Sequence, residues 1–253
     1  MNKIKVALCL SGEPRNSMFC FPYIYESLIN LGPLYEVDVY IHSWKEFRAL
    51  PLYKPKEFKI NWINEEDFYK TILIQLKNNT NQNSPNVNLE LDYILQNTLN
   101  VGTLKNSLLM YSSMQKCFEL IKKPYDAYIR GRFDLYFPNI LTIQNLIEEV
   151  KNKKSDIILS EIRVYNEHNG YLRTLFDDKF AICNLEGAKH YFNIYNDIFN
   201  IIPKANMLNP HVFLKNYLDK SKLNINSLSF GFNYDLIRST RIVAYNKSPY
   251  FDN

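Results

Sequence analysis

The sequence predicts an α/β fold, a mostly parallel central sheet flanked by helices, in one domain over residues 1–253. Three observations lead there. Short apolar runs that end in turn residues alternate with stretches of helical periodicity along the 253 residues. A strand, a helix and a second strand follow one another within residues 3–44, a βαβ unit that favours parallel pairing. No internal repeat and no clear linker divides the chain.

Residues 3–10 read Lys-Ile-Lys-Val-Ala-Leu-Cys-Leu and stop at Ser11-Gly12, the pattern of a buried central strand. A helix is expected over 19–31, stopped by Gly32-Pro33. Residues 35–42 form the second strand and lead into Ser43-Trp44. Residues 45–100 read as an insert: an extended connector with strand character over 50–60, then a helix over 64–76. Asn64 would cap that helix, with Glu65, Glu66 and Asp67 in its first turn. A polar loop over 78–88 completes the insert.

Leu104, Leu108, Tyr111, Met114, Cys117, Phe118 and Ile121 recur at helical spacing, and Lys123-Pro124 ends that helix. A strand over 125–137 follows. Beyond it the pattern predicts a helix over 141–150, strands over 156–160 and 180–183, and a turn over 167–170 between them. Helices over 185–202 and 210–218 and a β-like stretch over 225–237 complete the chain.

The formal charge of +4 and a pI near 8.7 come with no concentrated basic stripe, which speaks against nucleic acid as a partner. Only 7 glycines are present, so a glycine-rich phosphate loop is not expected. Cys9, Cys20, Cys117 and Cys183 lie far apart with no C-x-x-C, so buried free thiols in a reducing cytosol are expected, not a metal cluster. Val6–Leu10 is too short for a signal sequence, and no apolar run reaches the ~18 residues of a membrane span. A cytoplasmic protein is expected, at most peripheral at the inner face of the membrane.

The segment Tyr125-Asp-Ala-Tyr-Ile-Arg-Gly-Arg-Phe-Asp-Leu-Tyr-Phe137 carries the chemistry. As one strand it would align Asp126, Tyr128, Arg130, Arg132 and Asp134 on one face and Ala127, Ile129, Gly131, Phe133 and Leu135 on the other. Guanidiniums are costly to bury unpaired, so a cleft that receives an anion such as a diphosphate is expected. Asp134 would hold a divalent ion, Mn2+ or Mg2+, or orient Arg132. The alternative is a purely structural Arg–Asp network.

Three more constellations stand beside their plainer readings. Ser11, Gly12 and Arg15 follow the first strand, where open α/β sheets bind ligands; the plain reading is a tight turn with a surface arginine. His42 and Trp44 end the second strand and offer a hydrogen bond and a stacking face, or are simply core residues. Asp177 and Asp178 stand before an apolar strand as candidate general bases, or as turn caps. His211, after Pro210, is a second candidate base or a helix-start residue.

Together the pieces resemble a family of bacterial glycosyltransferases found with surface-polysaccharide genes. The matching stretches are Val6-Ala-Leu-Cys-Leu-Ser-Gly-Glu-Pro-Arg15, Asp38-Val-Tyr-Ile-His-Ser-Trp44, Tyr125-Asp-Ala-Tyr-Ile-Arg-Gly-Arg-Phe-Asp134 and Asp178-Lys-Phe-Ala-Ile182, in the family's order. The resemblance implies a GT-A-like (Rossmann-like) fold, a nucleotide-sugar donor at the strand ends, a glycan acceptor, and an acceptor-side role for residues 45–100. In such folds an Asp-x-Asp usually carries the metal; here Arg132-Phe-Asp134 takes its place and leaves one carboxylate. In that family a Pro-Glu pair often stands where this sequence has Pro210-His211. Sugar-phosphate transfer from a nucleotide-linked donor and a non-catalytic carbohydrate-binding module are the rival expectations.

Overall fold

A computed structural model describes residues 2–12, 20, 23–44, 59–63, 98–136, 140–165, 172–201, 209–228 and 235–236. The order along the chain is β1 (Ile4–Ser11), a π-helical segment (Tyr25–Ile29), β2 (Tyr35–Trp44), β3 (Lys59–Ile63), α1 (Thr98–Glu119), β4 (Ala127–Gly131), β5 (Leu135–Tyr136) and α2 (Ile140–Lys151). Then come β6 (Ile157–Tyr165), β7 (Leu172–Cys183), α3 (Leu185–Phe192), α4 (Ile194–Ile201), α5 (Pro210–Leu218), β8 (Ile225–Leu228) and β9 (Asp235–Leu236).

Among the described residues seven strands form one sheet in the order β3-β2-β1-β4-β7-β6-β8, and β5 pairs separately with β9. The pairs β1–β2, β1–β4, β2–β3 and β6–β8 are parallel, while β7 runs antiparallel to both its neighbours. This is the mostly parallel, helix-flanked α/β sheet predicted from the sequence.

Strand alternation divides the core in two. Ala7, Cys9, Tyr128, Leu159, Ala181 and Cys183 point to one face, where they meet α1, α3, α4 and α5. Val6, Leu8, Leu10, Ala127, Ile129, Ile158 and Ile182 point to the other, where α2 and the π-helical segment cover them. Val6 to Leu10 are wholly buried, because a parallel strand between two helical layers has no wet face. Phe118 of α1 stacks on Phe192 of α3 at 4.9 Å, and Tyr111 of α1 donates to the Pro210 carbonyl at 2.6 Å, tying α5 to the same layer.

Several expected boundaries move. The strand expected over 125–137 stops at Gly131; Phe133 and Asp134 form a turn before β5. Asp126 is spent at the strand's start, where its carboxylate accepts the Lys5 N–H at 2.8 Å. The strand expected over 180–183 is the end of a much longer β7, whose polar Thr174 and Asp177–Lys179 interrupt any apolar run. One helix over 185–202 is two, broken at Asn193, whose side chain donates to the Lys189 carbonyl at 2.6 Å and so ends the first. Of the expected helix over 19–31, residue 20 and residues 23–29 are described and helical, and Gly32 follows with φ +100, a conformation that favours glycine.

The helix and loop expected over 64–76 and 78–88 lie outside the described residues, as does Arg15. All four cysteines are free and buried. Among the described residues no helix is long and apolar enough to cross a membrane.

Gly187 fixes how α3 sits on the sheet. Asn184 caps the helix by accepting the Gly187 N–H at 2.9 Å and donates to the Asp156 carboxylate at 2.6 Å. A Cβ at residue 187 would lie 2.0 Å from the Asp156 carbonyl oxygen, a backbone atom that cannot swing aside. Gly187→Ala is therefore expected to cost about 2 kcal/mol or more in urea denaturation, despite alanine's better helix propensity.

Candidate functional site

The parallel strands deliver their carboxyl ends to one edge of the sheet. Ser11 lies opposite His42, and Leu10 opposite Gly131, so Ser11-Gly12, His42-Ser43 and Arg132 are neighbours there. Ser113, from the middle of α1, knits the first two together. Its Oγ accepts the Gly12 N–H at 3.0 Å, lies 2.7 Å from His42 Nδ1 and donates toward the His42 carbonyl at 3.3 Å. Gly12 N–H also reaches the His42 carbonyl at 3.2 Å, and Ser43 Oγ donates to the Gly12 carbonyl at 3.0 Å. Gly12 has φ +108 with open space where a Cβ would stand, so its backbone conformation is what calls for glycine.

Ser113 was not legible as a site residue in the helical pattern. The available signal was a buried serine pair, Ser112-Ser113, between the apolar Tyr111 and Met114. His42 is wholly buried, and desolvation, with Lys116 adding repulsion, lowers its pKa to about 4. It is neutral at physiological pH and serves as a hydrogen-bonding group. Trp44 closes β2, and its side chain lies outside the described residues.

Arg130 and Arg132 part company, because β4 ends between them. Arg130 is wholly buried: one amino group donates to the Gly131 carbonyl, while Nε and Nη2 have no hydrogen-bond partner among the described residues. Desolvation lowers its pKa, and Arg132 adds to that, while Tyr191 and Asp178 oppose it. Arg132 keeps 19% of its side chain exposed and forms a two-pronged fork with Asp134: Nε to Oδ1 at 2.8 Å and Nη2 to Oδ2 at 2.7 Å. Burial works against its charge, but Asp134, Asp178 and Asp177 outweigh that and raise its pKa. The single polar face expected over Asp126–Asp134 is thus corrected: a sealed guanidinium lies beneath an accessible one.

Asp134 orients Arg132. Its side chain is fully buried and both its oxygens are taken by the guanidinium. An ion at Asp134 would have to displace that fork, so the residues there do not fit the divalent metal expected from the sequence.

The reversed β7 brings two more carboxylates to this edge. Leu159 of β6 lies opposite Ala181, but Glu161, two residues on, lies opposite Phe176, so residues 177–180 bulge out of the ladder. In a regular strand Asp177 and Asp178 would point to opposite faces. The bulge lets both serve one place, at 3% and 4% exposure. Asp177 accepts from the Lys179 N–H at 3.2 Å and the Lys179 ammonium at 2.9 Å.

His211 meets the two aspartates from the first turn of α5. Asn209 caps that helix by accepting the His211 N–H at 2.9 Å, and Pro210 occupies its first position. His211 Nδ1 stands 3.1 Å from the Phe176 carbonyl and 3.6 Å from Asp178 Oδ1. A carbonyl only accepts, so Nδ1 carries the hydrogen and Nε2 presents its lone pair in the neutral ring. One ligand atom from each of Asp177, Asp178 and His211 lies within 4.8 Å of the others.

No protein-family model matches the chain, and no curated protein matches it. Among solved structures it is similar to a 4-diphosphocytidyl-2C-methyl-D-erythritol synthase from Anaerococcus prevotii, with TM-score 0.49, 6% identity and 96% of each chain covered. It is similar to a 2-C-methyl-D-erythritol 4-phosphate cytidylyltransferase from Francisella tularensis, with TM-score 0.47, 10% identity, and 96% of this chain and 98% of that one covered. Mouse xyloside xylosyltransferase 1 gives TM-score 0.43 and 13% identity over 90% of this chain and 85% of that one. Likenesses this remote leave function to the chemistry of the site.

The buried His42 predicts a pH dependence. Its folded pKa lies below the usual 6.5, so the unfolded chain binds the proton more readily and stability falls as pH drops from 6.5 toward 4. His42→Asn removes that titration. Comparing urea denaturation at pH 7 and pH 4.5, the native chain is expected to lose roughly 2 kcal/mol more than the variant.

Proposed function

We propose that the chain is a glycosyltransferase that moves a sugar from a nucleoside-diphosphate sugar to a glycan acceptor in surface-polysaccharide biosynthesis, of capsule or lipopolysaccharide. The observation that carries this reading is Arg132. It is held rigid by Asp134, part exposed, and set where the carboxyl ends of parallel strands meet the aspartates of the reversed strand. A fixed guanidinium matches paired phosphate oxygens and stabilises a departing diphosphate.

In this reading the donor lies across the strand ends. Ser11 and Gly12 allow its phosphates to approach the backbone, and Arg15 adds a second guanidinium. Arg130 supplies fixed positive charge from the layer beneath, where water does not screen it. His42, sealed from water, steadies Gly12 beneath the donor through Ser113, and Trp44 borders the base or sugar. Asp178, with Asp177 beside it, takes the acceptor hydroxyl's proton as the sugar transfers. The resemblance to surface-polysaccharide glycosyltransferases supports the acceptor class and a protein working at the inner face of the membrane.

The test begins with a nucleotide screen by thermal shift, using UDP, GDP, CDP and CMP with and without manganese. One nucleoside diphosphate is expected to raise the melting temperature. Arg132→Lys keeps a charge but loses the fork and should weaken that nucleotide at least tenfold. Unchanged affinity with a lowered melting temperature would make the Arg132–Asp134 pair purely structural. With a competent donor and acceptor, Asp178→Asn should lower kcat by about a hundredfold or more while donor affinity holds. Phosphate retained in the product would reassign the reaction to sugar-phosphate transfer, and no nucleotide affinity at all would leave a carbohydrate-binding module.

A further inference from the structure

The meeting of Asp177, Asp178 and His211 points to a function that the transferase reading does not require. Two adjacent carboxylates, 3% and 4% exposed, repel one another, and such a pair needs positive charge close by. Lys179 supplies it to Asp177 through a flexible ammonium 2.9 Å away, itself 19% exposed and able to swing toward water. The imidazole of His211 is fixed by the Phe176 carbonyl through Nδ1, which leaves Nε2 as a ligand atom.

A second observation points to the same place. The Tyr191 hydroxyl, on α3, is wholly buried and has no hydrogen-bond partner among the described residues; burial raises its pKa, Arg130 opposes that, and Cys183, Asp178 and Asp177 add to it. A hydroxyl so enclosed is costly unless it meets a polar group, and a water on a bound ion is such a group. Arg130 Nη2 is equally buried and has no hydrogen-bond partner among the described residues, and Tyr191 and Asp178 both favour its charge.

We propose that Asp177, Asp178 and His211 form a divalent-cation site of the free protein, built for a first-row ion of the Mn2+ class. Two carboxylates and one imidazole are a mixed oxygen and nitrogen set, which suits Mn2+ or its neighbours better than Ca2+, whose ligands are oxygens. Ligands about 2.1 Å from one ion stand at most about 4.2 Å apart, so the ligand atoms of these three residues, now within 4.8 Å of one another, must draw closer to share an ion. The bulge of β7 makes such a site possible: in a regular strand the two carboxylates would face opposite sides of the sheet. The ion displaces the Lys179 ammonium from Asp177 and keeps positions open for water or a substrate oxygen. The site replaces Asp134, whose oxygens are already occupied, as the place where a metal binds.

Electron paramagnetic resonance of Mn2+ titrated into the nucleotide-free full chain tests this without any sugar donor. Loss of the free-ion signal at one Mn2+ per chain is expected. Asp178→Asn and His211→Gln should each weaken binding at least tenfold, and Lys179→Met should tighten it severalfold. Metal-free thermal melting checks that each variant folds, and if one does not, the other decides. The proposal is overturned if the native chain binds no Mn2+, or if both folded variants bind it as the native chain does. It is equally overturned if Asp134→Asn abolishes binding while Asp178→Asn retains it. Nucleotide binding measured in EDTA reads the diphosphate grip separately; Mn2+ held through Asp178 would reassign that residue from general base to metal ligand and leave the diphosphate grip untouched.

Discussion

The fork between Arg132 and Asp134 is the contact on which the polar edge of this molecule depends. Asp134 is sealed from water, and a carboxylate in that position persists only if a cation answers both of its oxygens. Arg132 does so with two short hydrogen bonds and in doing so closes the turn that ends β4. The same turn separates Arg132 from Arg130 and leaves one guanidinium accessible over another that is wholly enclosed. Charge at this edge is therefore preorganised: it is paid into the fold and does not have to be gathered when a ligand arrives.

The fold makes such an edge unavoidable. β1 and β4 are buried on both faces between two helical layers, so their middles admit little besides apolar side chains. In these two strands the polar and charged residues stand toward the ends. Because β1, β2 and β4 run parallel, their ends coincide, and because β7 runs the other way, its middle passes the same place. One reversed strand thus adds acidic groups to an edge that parallel strands had furnished with backbone N–H groups and guanidiniums.

Ser113 and the β7 bulge show two ways of fixing such an edge. Ser113 acts across layers, from a helix onto two strand ends, and one hydroxyl holds both Gly12 and His42 in place. The bulge acts within the sheet, changing the direction of side chains without breaking the hydrogen-bonded ladder on either side. Tyr111 adds a third tie, from α1 to the start of α5, which carries His211 to the aspartates.

Periodicity in the sequence determined most of the scaffold: the central strand at residues 4–11, the βαβ opening, the helix that covers it, and the arginine and aspartate types at the strand ends. These are local properties, because a two-residue or 3.6-residue repeat of apolar side chains needs no distant partner to be read. Tertiary structure alone decided the rest. Strand β4 stops at Gly131 because Asp134 folds back onto Arg132. Asp177 and Asp178 share a side because the register with β6 slips. Ser113 joins the site because α1 lies across β1 and β2. Each of these is set by contact between segments far apart in the chain, and a sequence pattern carries no record of which distant group will supply the balancing charge or the missing hydrogen bond.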